Sequence, residues 1–328
     1  MSARDAGPGA LQASDVAAIA QDVIAEVERA VIGKREAILL VLIGVLSGGH
    51  VLLEDVPGLA KTLIVRSLAR VLGLETSRIQ FTPDLMPSDV TGSGVFDQRR
   101  GELVFRPGPV FANLVLGDEV NRAPPKTQAA LLEAMQERQV TVDGVTHLLP
   151  SPFAVVATQN PIEYEGTYPL PEAQLDRFLL RVSVGYPDRE AEWDMVRRRA
   201  ARGEEEVHLA PVCEAGTVLA MREAIERIEI SEPVGRYLVD VVRATRAVAG
   251  VEVGASPRGA LALLVSSRAR ACLDGREFVL PDDIKALAIS CLAHRLSLVP
   301  DLWLRGSRPE ELVSQCLNSV PVPISGDS

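Results

Sequence analysis

The feature that most constrains the fold is the alternation of short apolar runs with helical patterns, which continues along the chain as far as Tyr186-Pro187. Strands that alternate with helices predict a parallel sheet covered by helices on both of its faces. We therefore expect an α/β fold with a doubly wound parallel sheet. Its predicted strands are residues 50–54, 78–81, 114–119, 153–158 and 178–184, and its predicted helices are residues 14–30, 36–47, 61–72 and 124–137.

Two segments interrupt this alternation, and the pattern changes after residue 187. Residues 94–106 and 139–150 each place a turn dipeptide, Arg100-Gly101 or Asp143-Gly144, between short β-prone runs, which is typical of β-hairpins. Beyond residue 187 helical patterns cover residues 188–201, 214–228, 233–248, 258–274, 281–294 and 308–318. The predicted organisation is a flexible tail (1–13), an α/β core (14–187), a small all-helical domain (188–320) and a frayed end (321–328).

Composition and charge argue against several classes of protein. The chain has 328 residues, enough for about two domains. Its longest apolar run, Ala37 to Leu46, has about half the length of a helix that spans a bilayer. The N-terminus lacks the layout of a signal peptide, so we expect a cytoplasmic protein. The formal net charge of -10 argues against a protein that binds nucleic acid through a basic surface.

A strand, a glycine-containing loop and a helix follow one another at residues 51–72, which is the context of a phosphate-binding loop. The strict pattern G-x-x-x-x-G-K-[ST] keeps Lys61 and Thr62 but has Asp55 and Ala60 at its two glycine positions. Aspartate tolerates positive φ, and a position that enters a helix accepts alanine, so the loop can still close. The candidate nucleotide-binding residues are Asp55, Val56, Pro57, Gly58, Leu59, Ala60, Lys61, Thr62 and Leu63.

Each part of such a loop has a chemical task. The N–H groups at the helix N-terminus bind phosphate oxygens, the ammonium group of Lys61 neutralises the β- and γ-phosphates of ATP, and Oγ1 of Thr62 holds Mg²⁺. An anionic Asp55 is unfavourable beside a phosphate. Taken alone, the segment is equally compatible with an ordinary strand-to-helix turn that carries a surface Lys-Thr pair.

Asp118 and Glu119 follow four nearly all-apolar residues, 114–117, at the end of a predicted buried strand. Ligands of open α/β sheets bind beyond the carboxyl ends of the strands. Asp118 is therefore the candidate Mg²⁺ ligand, and Glu119 is the candidate base that activates the water attacking the γ-phosphate. The alternative is a strand that ends in solvated acids. The presence of this acidic pair together with Lys61-Thr62 favours a nucleotide-hydrolysing enzyme instead.

Five blocks of sequence, taken in order, resemble the AAA+ ATPases and, within them, the MoxR family. These blocks are residues 54–62, 118–128, 157–161, 170–178 and 254–258. The resemblance extends over most of the chain. It implies a P-loop core with hairpin inserts, a helical lid domain, bound ATP with Mg²⁺, and an activity that hydrolyses ATP to ADP and phosphate.

The resemblance also implies roles for single residues. Asn160 resembles sensor 1, which contacts the attacking water or the γ-phosphate, Arg177 resembles the arginine finger offered to the neighbouring subunit, and Arg258 resembles sensor 2. From the residues alone, Asn160-Pro161 is also a common turn, and both arginines are also compatible with surface positions. The segment that resembles the adenine contact is Val31, Ile32 and Gly33.

The assembly that the resemblance implies is a homo-hexameric ring, in which the two hairpins face the pore and contact substrate or a partner. The family typically remodels or matures a protein client, often a metalloenzyme, together with a protein that contains a von Willebrand factor A domain. Two alternatives stay open: a metal-chelatase-type motor subunit, and a nucleotide-gated scaffold with little turnover, which Asp55 and Ala60 keep in consideration. The negative net charge disfavours a third, a nucleic-acid translocase.

Overall fold

The computed structural model describes residues 10–56, 58–99, 101–160, 166–204, 207–301 and 306–323. They form two compact units: a sheet unit within Val23–Ala215, and a helical unit within Met1–Asp22 and Gly216–Ser328. The first helix, α1 (Ala13–Glu28), contributes residues to both units. No helix within the described ranges is long and apolar enough to span a membrane.

The sheet unit alternates helices and strands as the sequence predicts. In chain order it contains α2 (Arg35–Leu46), β1 (Val51–Glu54), α3 (Lys61–Val71), β2 (Thr76–Gln80), α4 (Pro87–Thr91), β3 (Gly92–Asp97), β4 (Glu102–Pro107), β5 (Leu114–Asp118), α5 (Pro125–Glu137), β6 (Gln139–Val142), β7 (Val145–Leu148), β8 (Ala154–Gln159), α6 (Glu172–Leu175), β9 (Leu180–Val182) and α7 (Arg189–Arg202). Five of the strands form one parallel sheet in the order β2-β5-β8-β1-β9. The predicted fold class is therefore confirmed.

The central strands are buried because their nearly continuous apolar sequences are covered on both faces of the sheet. Every residue of β5 is buried, and Leu52, Val115 and Val155 have no exposed surface. These side chains pack in one cluster with the buried rings of Phe81 and Phe153. The core thus lies around the strands whose carboxyl ends carry the predicted site.

Both predicted hairpins are present, since β3 pairs antiparallel with β4 and β6 pairs antiparallel with β7. The second hairpin turns at Asp143 and Gly144, which have φ angles of 50° and 78° and so favour a tight two-residue turn. Arg100, predicted for the first turn, lies outside the described residues. The two hairpins touch each other, because the rings of Phe105 and His147 stack with their centroids 3.8 Å apart.

The helical unit contains five of the six helices that the sequence predicts beyond residue 187, together with one small sheet that the sequence does not predict. In chain order its elements are α8 (Ala215–Glu226), α9 (Glu232–Ala244), β10 (Val251–Val253), α10 (Pro257–Leu273), α11 (Pro281–Leu292), β11 (Ser297–Leu298) and α12 (Pro309–Ser319). Strands β10 and β11 pair antiparallel. They have three and two residues, which is too short for an alternating apolar pattern to reveal them.

Helix α7 belongs to the sheet unit, so the division between the units falls later in the chain than the predicted limit at residue 187. Gly33 packs tightly against this helix, because a Cβ at Gly33 would lie only 2.5 Å from Cβ of Ala191. The predicted domain limits stay a prediction.

Two helical glycines provide a test of how closely the helices pack. A Cβ added to Gly44 of α2 would overlap Cγ2 of Val51 in β1, whereas a Cβ at Gly235 of α9 would lie 4.0 Å from Cδ1 of Ile230. We expect Gly44→Ala to lower the free energy of unfolding by about 1–3 kcal/mol through overpacking. As the control, Gly235→Ala should raise it by up to about 1 kcal/mol through helix propensity. Urea unfolding measures both, and a fully stable Gly44→Ala protein would contradict the packing argument.

Candidate functional site

The candidate nucleotide site lies at the carboxyl-terminal edge of the sheet. Parallel pairing sets Glu54 of β1 beside Gln159 of β8, and Gln80 of β2 beside Asp118 of β5. Asn160 follows directly after β8. The structure therefore brings the phosphate loop (residues 55–62), the acidic pair and Asn160 to one edge, which is where ligands of open α/β sheets bind.

The phosphate loop connects β1 to α3. Positive φ angles occur at Gly58 (84°) and Ala60 (57°), but not at Asp55. Asp55 therefore does not use the positive φ that aspartate tolerates, and the strained position is Ala60, where a left-handed conformation costs about 1–2 kcal/mol for a residue with a Cβ. Pro57 lies outside the described residues.

The N-terminus of α3 is suited to bind an anion. Ala60 precedes the helix and no side chain caps it, so the first N–H groups of the helix are left for a ligand or water. Lys61 and Thr62 lie in that first turn. Nζ of Lys61 donates to the backbone oxygens of Asp55 (2.6 Å) and Gln159 (3.4 Å). A charged phosphate oxygen is a stronger acceptor than either carbonyl.

The charge environment of Lys61 is negative. Burial lowers the pKa of its ammonium group, while four carboxylates partly offset this effect, namely those of Asp55, Asp118, Glu119 and Glu54. A nearby negative charge favours the protonated form of a lysine. A bound triphosphate would therefore further favour the cation that the loop needs.

Asp118 is buried at the end of β5 and is held on both carboxylate oxygens. Oδ1 accepts a hydrogen bond from Oγ1 of Thr158 at 2.6 Å, and Oδ2 accepts from Nη2 and Nε of Arg78 at 2.7 and 3.2 Å. This carboxylate and the hydroxyl of Thr62 are oxygen ligands of the kind that Mg²⁺ prefers.

The Asp118 carboxylate and the Thr62 hydroxyl fit a Mg²⁺ ion that is also bound by substrate better than a metal ion bound only by protein side chains. Among the described residues, no group of three or more His, Cys, Asp or Glu side chains could hold a metal ion. Mg²⁺ is usually bound by one or two carboxylates together with substrate phosphates, rather than by an all-protein cage. The residues at this edge are therefore compatible with Mg²⁺ that arrives with a nucleotide.

Glu119 follows β5 in a left-handed conformation, with φ of 57°, a type of backbone strain that clusters at active sites. Its amide donates to Oγ1 of Thr158 at 2.9 Å. Oε2 of its carboxylate accepts hydrogen bonds from Nε2 of Gln80 (3.0 Å) and Nη1 of Arg122 (3.1 Å). Oε1 has no hydrogen-bond partner within the described part of the chain, so this oxygen is available to a water molecule.

Asn160 is 3% exposed, and its backbone oxygen accepts a hydrogen bond from Nδ2 of Asn121 at 3.3 Å. It comes immediately after Gln159, whose own backbone oxygen contacts Lys61. The sensor 1 candidate thus follows β8 at the same sheet edge as Lys61 and the acidic pair.

Four side chains that hold the acidic pair were missed by the sequence reasoning: Arg78, Gln80, Arg122 and Thr158. Arg78 and Gln80 lie on β2, which pairs with β5 although 33 residues separate the two strands in the chain. Strand order is needed to bring them together, so no local pattern could have revealed them. Thr158 ends a predicted strand at the expected edge, and this position was the one available signal.

The carboxylate of Asp55 is occupied by the protein itself. Oδ2 accepts hydrogen bonds from Oγ of Ser183 (2.9 Å) and from the amides of Val184 (3.0 Å) and Gly185 (2.6 Å), while Oδ1 accepts from the Val56 amide (2.9 Å). Burial acts to raise the pKa of Asp55, but these four hydrogen bonds outweigh it and lower the pKa. The negative charge that appeared unfavourable beside a phosphate is therefore compensated.

The remaining candidates have the following positions in the structure. Nη1 of Arg177 donates to the backbone oxygen of Leu132 in α5 at 3.0 Å. Arg258 lies in the first turn of α10, in the helical unit, where its amide donates to Oγ of Ser256. The predicted adenine segment follows α1 in the sheet unit, and its members are Val31, Ile32 and Gly33.

The sheet order and this edge together define a class of protein. A parallel sheet with a Lys-Thr helix start after one strand and an Asp-Glu pair after another is the core of a P-loop nucleotide-binding protein. Residues 50–180 match the family described as the ATPase family associated with various cellular activities (AAA), and residues 243–316 match the AAA lid domain. Within this class, the chain belongs to the MoxR family of AAA+ ATPases.

Three relatives illustrate this membership. Chaperone MoxR1 of Mycobacterium tuberculosis is 42% identical, over 98% of this chain and 87% of its own. Protein MoxR of Methylorubrum extorquens is 32% identical, over 91% of this chain and 93% of its own. The crystal structure of a Cytophaga hutchinsonii protein superposes with a TM-score of 0.88 at 41% identity, covering 95% of this chain and 97% of that one.

Proposed function

We propose that this protein couples ATP binding and hydrolysis to the remodelling or maturation of a protein client, as a chaperone-like motor. The observation that carries the proposal is the convergence of Lys61, Asp118, Glu119 and Asn160 at one sheet edge. The similarity of the chain to a relative named as a chaperone supports the coupling to a client.

The chemistry follows from the positions of the side chains. Lys61 exchanges its two carbonyl acceptors for phosphate oxygens. Thr62 and Asp118 would hold Mg²⁺, which would supply positive charge to neutralise the phosphates. Glu119, oriented by Gln80 and Arg122, accepts a proton from water through its available oxygen. The water oxygen bonds to the γ-phosphorus, the bond from that phosphorus to the β–γ bridging oxygen breaks, and ADP leaves.

A nucleotide-gated scaffold is the alternative that a specific observation favours, because the left-handed Ala60 departs from the usual glycine of a phosphate loop. Phosphate release under saturating ATP and Mg²⁺, at high protein concentration, separates the two functions. Continuous release supports the motor, and stoichiometric ATP binding without release supports the scaffold.

The assembly in the proposal is a homo-hexameric ring, in which Arg177 reaches the nucleotide of the neighbouring subunit. We expect Arg177→Ala and Glu119→Gln to be inactive alone but partly active when mixed. With random assortment in a closed ring, about a quarter of the sites combine an intact Glu119 with an intact Arg177 of the neighbour. Recovery of phosphate release on mixing measures this, and no recovery would contradict a role in trans.

A control variant keeps this mixing experiment specific. Arg236 is exposed on α9 and pairs with Glu232 of the same helix. Arg236→Ala should retain the activity of the unmodified protein, alone and in mixtures. Light scattering with and without nucleotide reports whether each variant still assembles.

The client and a partner with a von Willebrand factor A domain are also part of the proposal, by family resemblance. The Glu119→Gln protein, loaded with ATP, serves as a trap for them in a pull-down. Proteins captured by this trap with ATP, and not by the same protein carrying Lys61→Ala as well, are nucleotide-dependent partners. A trap that captures no protein in an ATP-dependent way would argue against remodelling.

A further inference from the structure

One dipeptide of the sheet unit is held through every one of its backbone polar groups. Val184-Gly185 lies between β9 and α7, and both of its amides donate to Oδ2 of Asp55, at 3.0 and 2.6 Å. Both of its carbonyl oxygens accept from Nζ of Lys34, at 3.1 and 2.7 Å. A carboxylate and an ammonium group thus grip the same two residues, and we call this arrangement the 184–185 clamp.

The two charges of the clamp are well supported. Lys34 is 8% exposed, and burial lowers the pKa of its ammonium group, although the carboxylates of Asp55, Asp188 and Glu192 partly offset that effect. Oγ of Ser183 adds a third donor to Oδ2 of Asp55. Hydrogen bonds to charged groups are worth more than neutral ones, so these contacts constrain the backbone strongly.

The clamp is joined to both ends of the proposed nucleotide site. Asp55 begins the phosphate loop, and its backbone oxygen accepts the 2.6 Å hydrogen bond from Lys61. Lys34 directly follows Val31-Ile32-Gly33, the segment predicted to contact adenine. Residues 184–185 therefore connect the start of the phosphate loop to the start of α2 by contacts within one unit.

We propose that Asp55 and Lys34 are positioning residues, which hold the phosphate loop and the adenine segment in the arrangement that binds nucleotide. The inference rests on the proposed nucleotide site and adds a role for Asp55 opposite to the one that its charge suggests. If Asp55 only repelled phosphate, its removal would tighten binding. If it pre-organises the loop, its removal loosens the loop and weakens binding, because the nucleotide must then order it.

The decisive variant is Asp55→Gly, because it moves the sequence towards the general phosphate-loop pattern. We expect the dissociation constants of ATP and ADP, measured by titration calorimetry with Mg²⁺, to rise by about tenfold or more. The KM for ATP should rise with the dissociation constant, whereas kcat at saturating ATP should fall by a smaller factor, since neither side chain touches a reacting atom. Unchanged or tighter binding by Asp55→Gly would overturn the proposal.

Further variants separate positioning from folding. Lys34→Met should weaken binding to a similar degree, and the double variant should lose less than the sum of the two, because both act on one dipeptide. Asp55→Asn keeps an oxygen acceptor, so its dissociation constant for ATP should lie between those of the unmodified protein and Asp55→Gly. Asp89→Ala is the matched control, as this aspartate caps α4 by accepting from the Met86 amide (2.9 Å). Asp89→Ala should reduce stability without changing nucleotide affinity. If the losses of affinity in the Asp55 and Lys34 variants were additive in the double variant, the two residues would not act through the same dipeptide.

The same measurements distinguish this inference from the proposed function. A wild-type protein that binds no nucleotide would refute the nucleotide site itself. A wild-type protein that binds ATP, with Asp55→Gly variants that bind equally well and unfold at the same temperature, would refute only the clamp.

Discussion

Glu119→Gln is expected to keep ATP binding within about threefold and to lower the rate of ATP hydrolysis by about 10²–10⁴-fold, the usual contribution of a general base. Glutamine preserves the size of the side chain and can still accept the hydrogen bonds from Gln80 and Arg122 through its amide oxygen. It has no basic oxygen to take a proton from water. Phosphate release under saturating ATP, together with an equilibrium titration of ATP, measures the two effects separately.

The matched control for this variant is Glu133→Gln, at an exposed position of α5. The control removes one negative charge from the same unit and should leave both binding and hydrolysis unchanged. Wild-type turnover in Glu119→Gln would refute the assignment of the base. It would direct attention to Asn160, the sensor 1 candidate.

Lys61→Ala is expected to weaken ATP binding by about 100-fold or more, because it removes a charged donor from the phosphate loop. The ammonium group is already directed at the loop, through its contacts with the backbone oxygens of Asp55 and Gln159. Alanine leaves these carbonyls facing the phosphates without a cation between them. The dissociation constant of ATP measured by calorimetry gives the size of the effect.

Lys285→Ala serves as the control for the loss of a lysine, since this side chain pairs with Asp282 on α11 of the helical unit. It should bind ATP as the unmodified protein does. Unaltered binding by Lys61→Ala would show that the strand-to-helix segment is an ordinary turn after all. Thermal unfolding of both variants without nucleotide excludes a general loss of structure.

Much of the sheet unit could be predicted from the sequence, because its information is local. The apolar run that ends at Asp118 predicts a buried strand, and the structure has β5 at Leu114–Asp118. The Lys61-Thr62 pair predicts a helix start, and α3 begins at Lys61. Apolar periodicity and turn residues act over a few positions. Strands and helices can therefore be predicted from them without knowing which segments pack together.

The features that the sequence did not reveal depended on partners. Aspartate tolerates positive φ, but the structure has the positive φ angles of the non-glycine residues at this edge at Ala60 and Glu119 rather than at Asp55. The pair β10 and β11 was missed, because each strand is too short to carry a pattern and is defined by the other. In both cases, packing and pairing between distant segments override the preference of the single residue.

By itself, the sequence determined the fold class, the order of the elements and the placement of the phosphate loop and the acidic pair at strand ends. Only the tertiary structure decided which side chains hold them. Gly185 donates to Asp55 across 130 positions of the chain, and Arg78 reaches Asp118 across 40. Local patterns determine where strands and helices lie, but the order and register of the strands determine which distant charges meet.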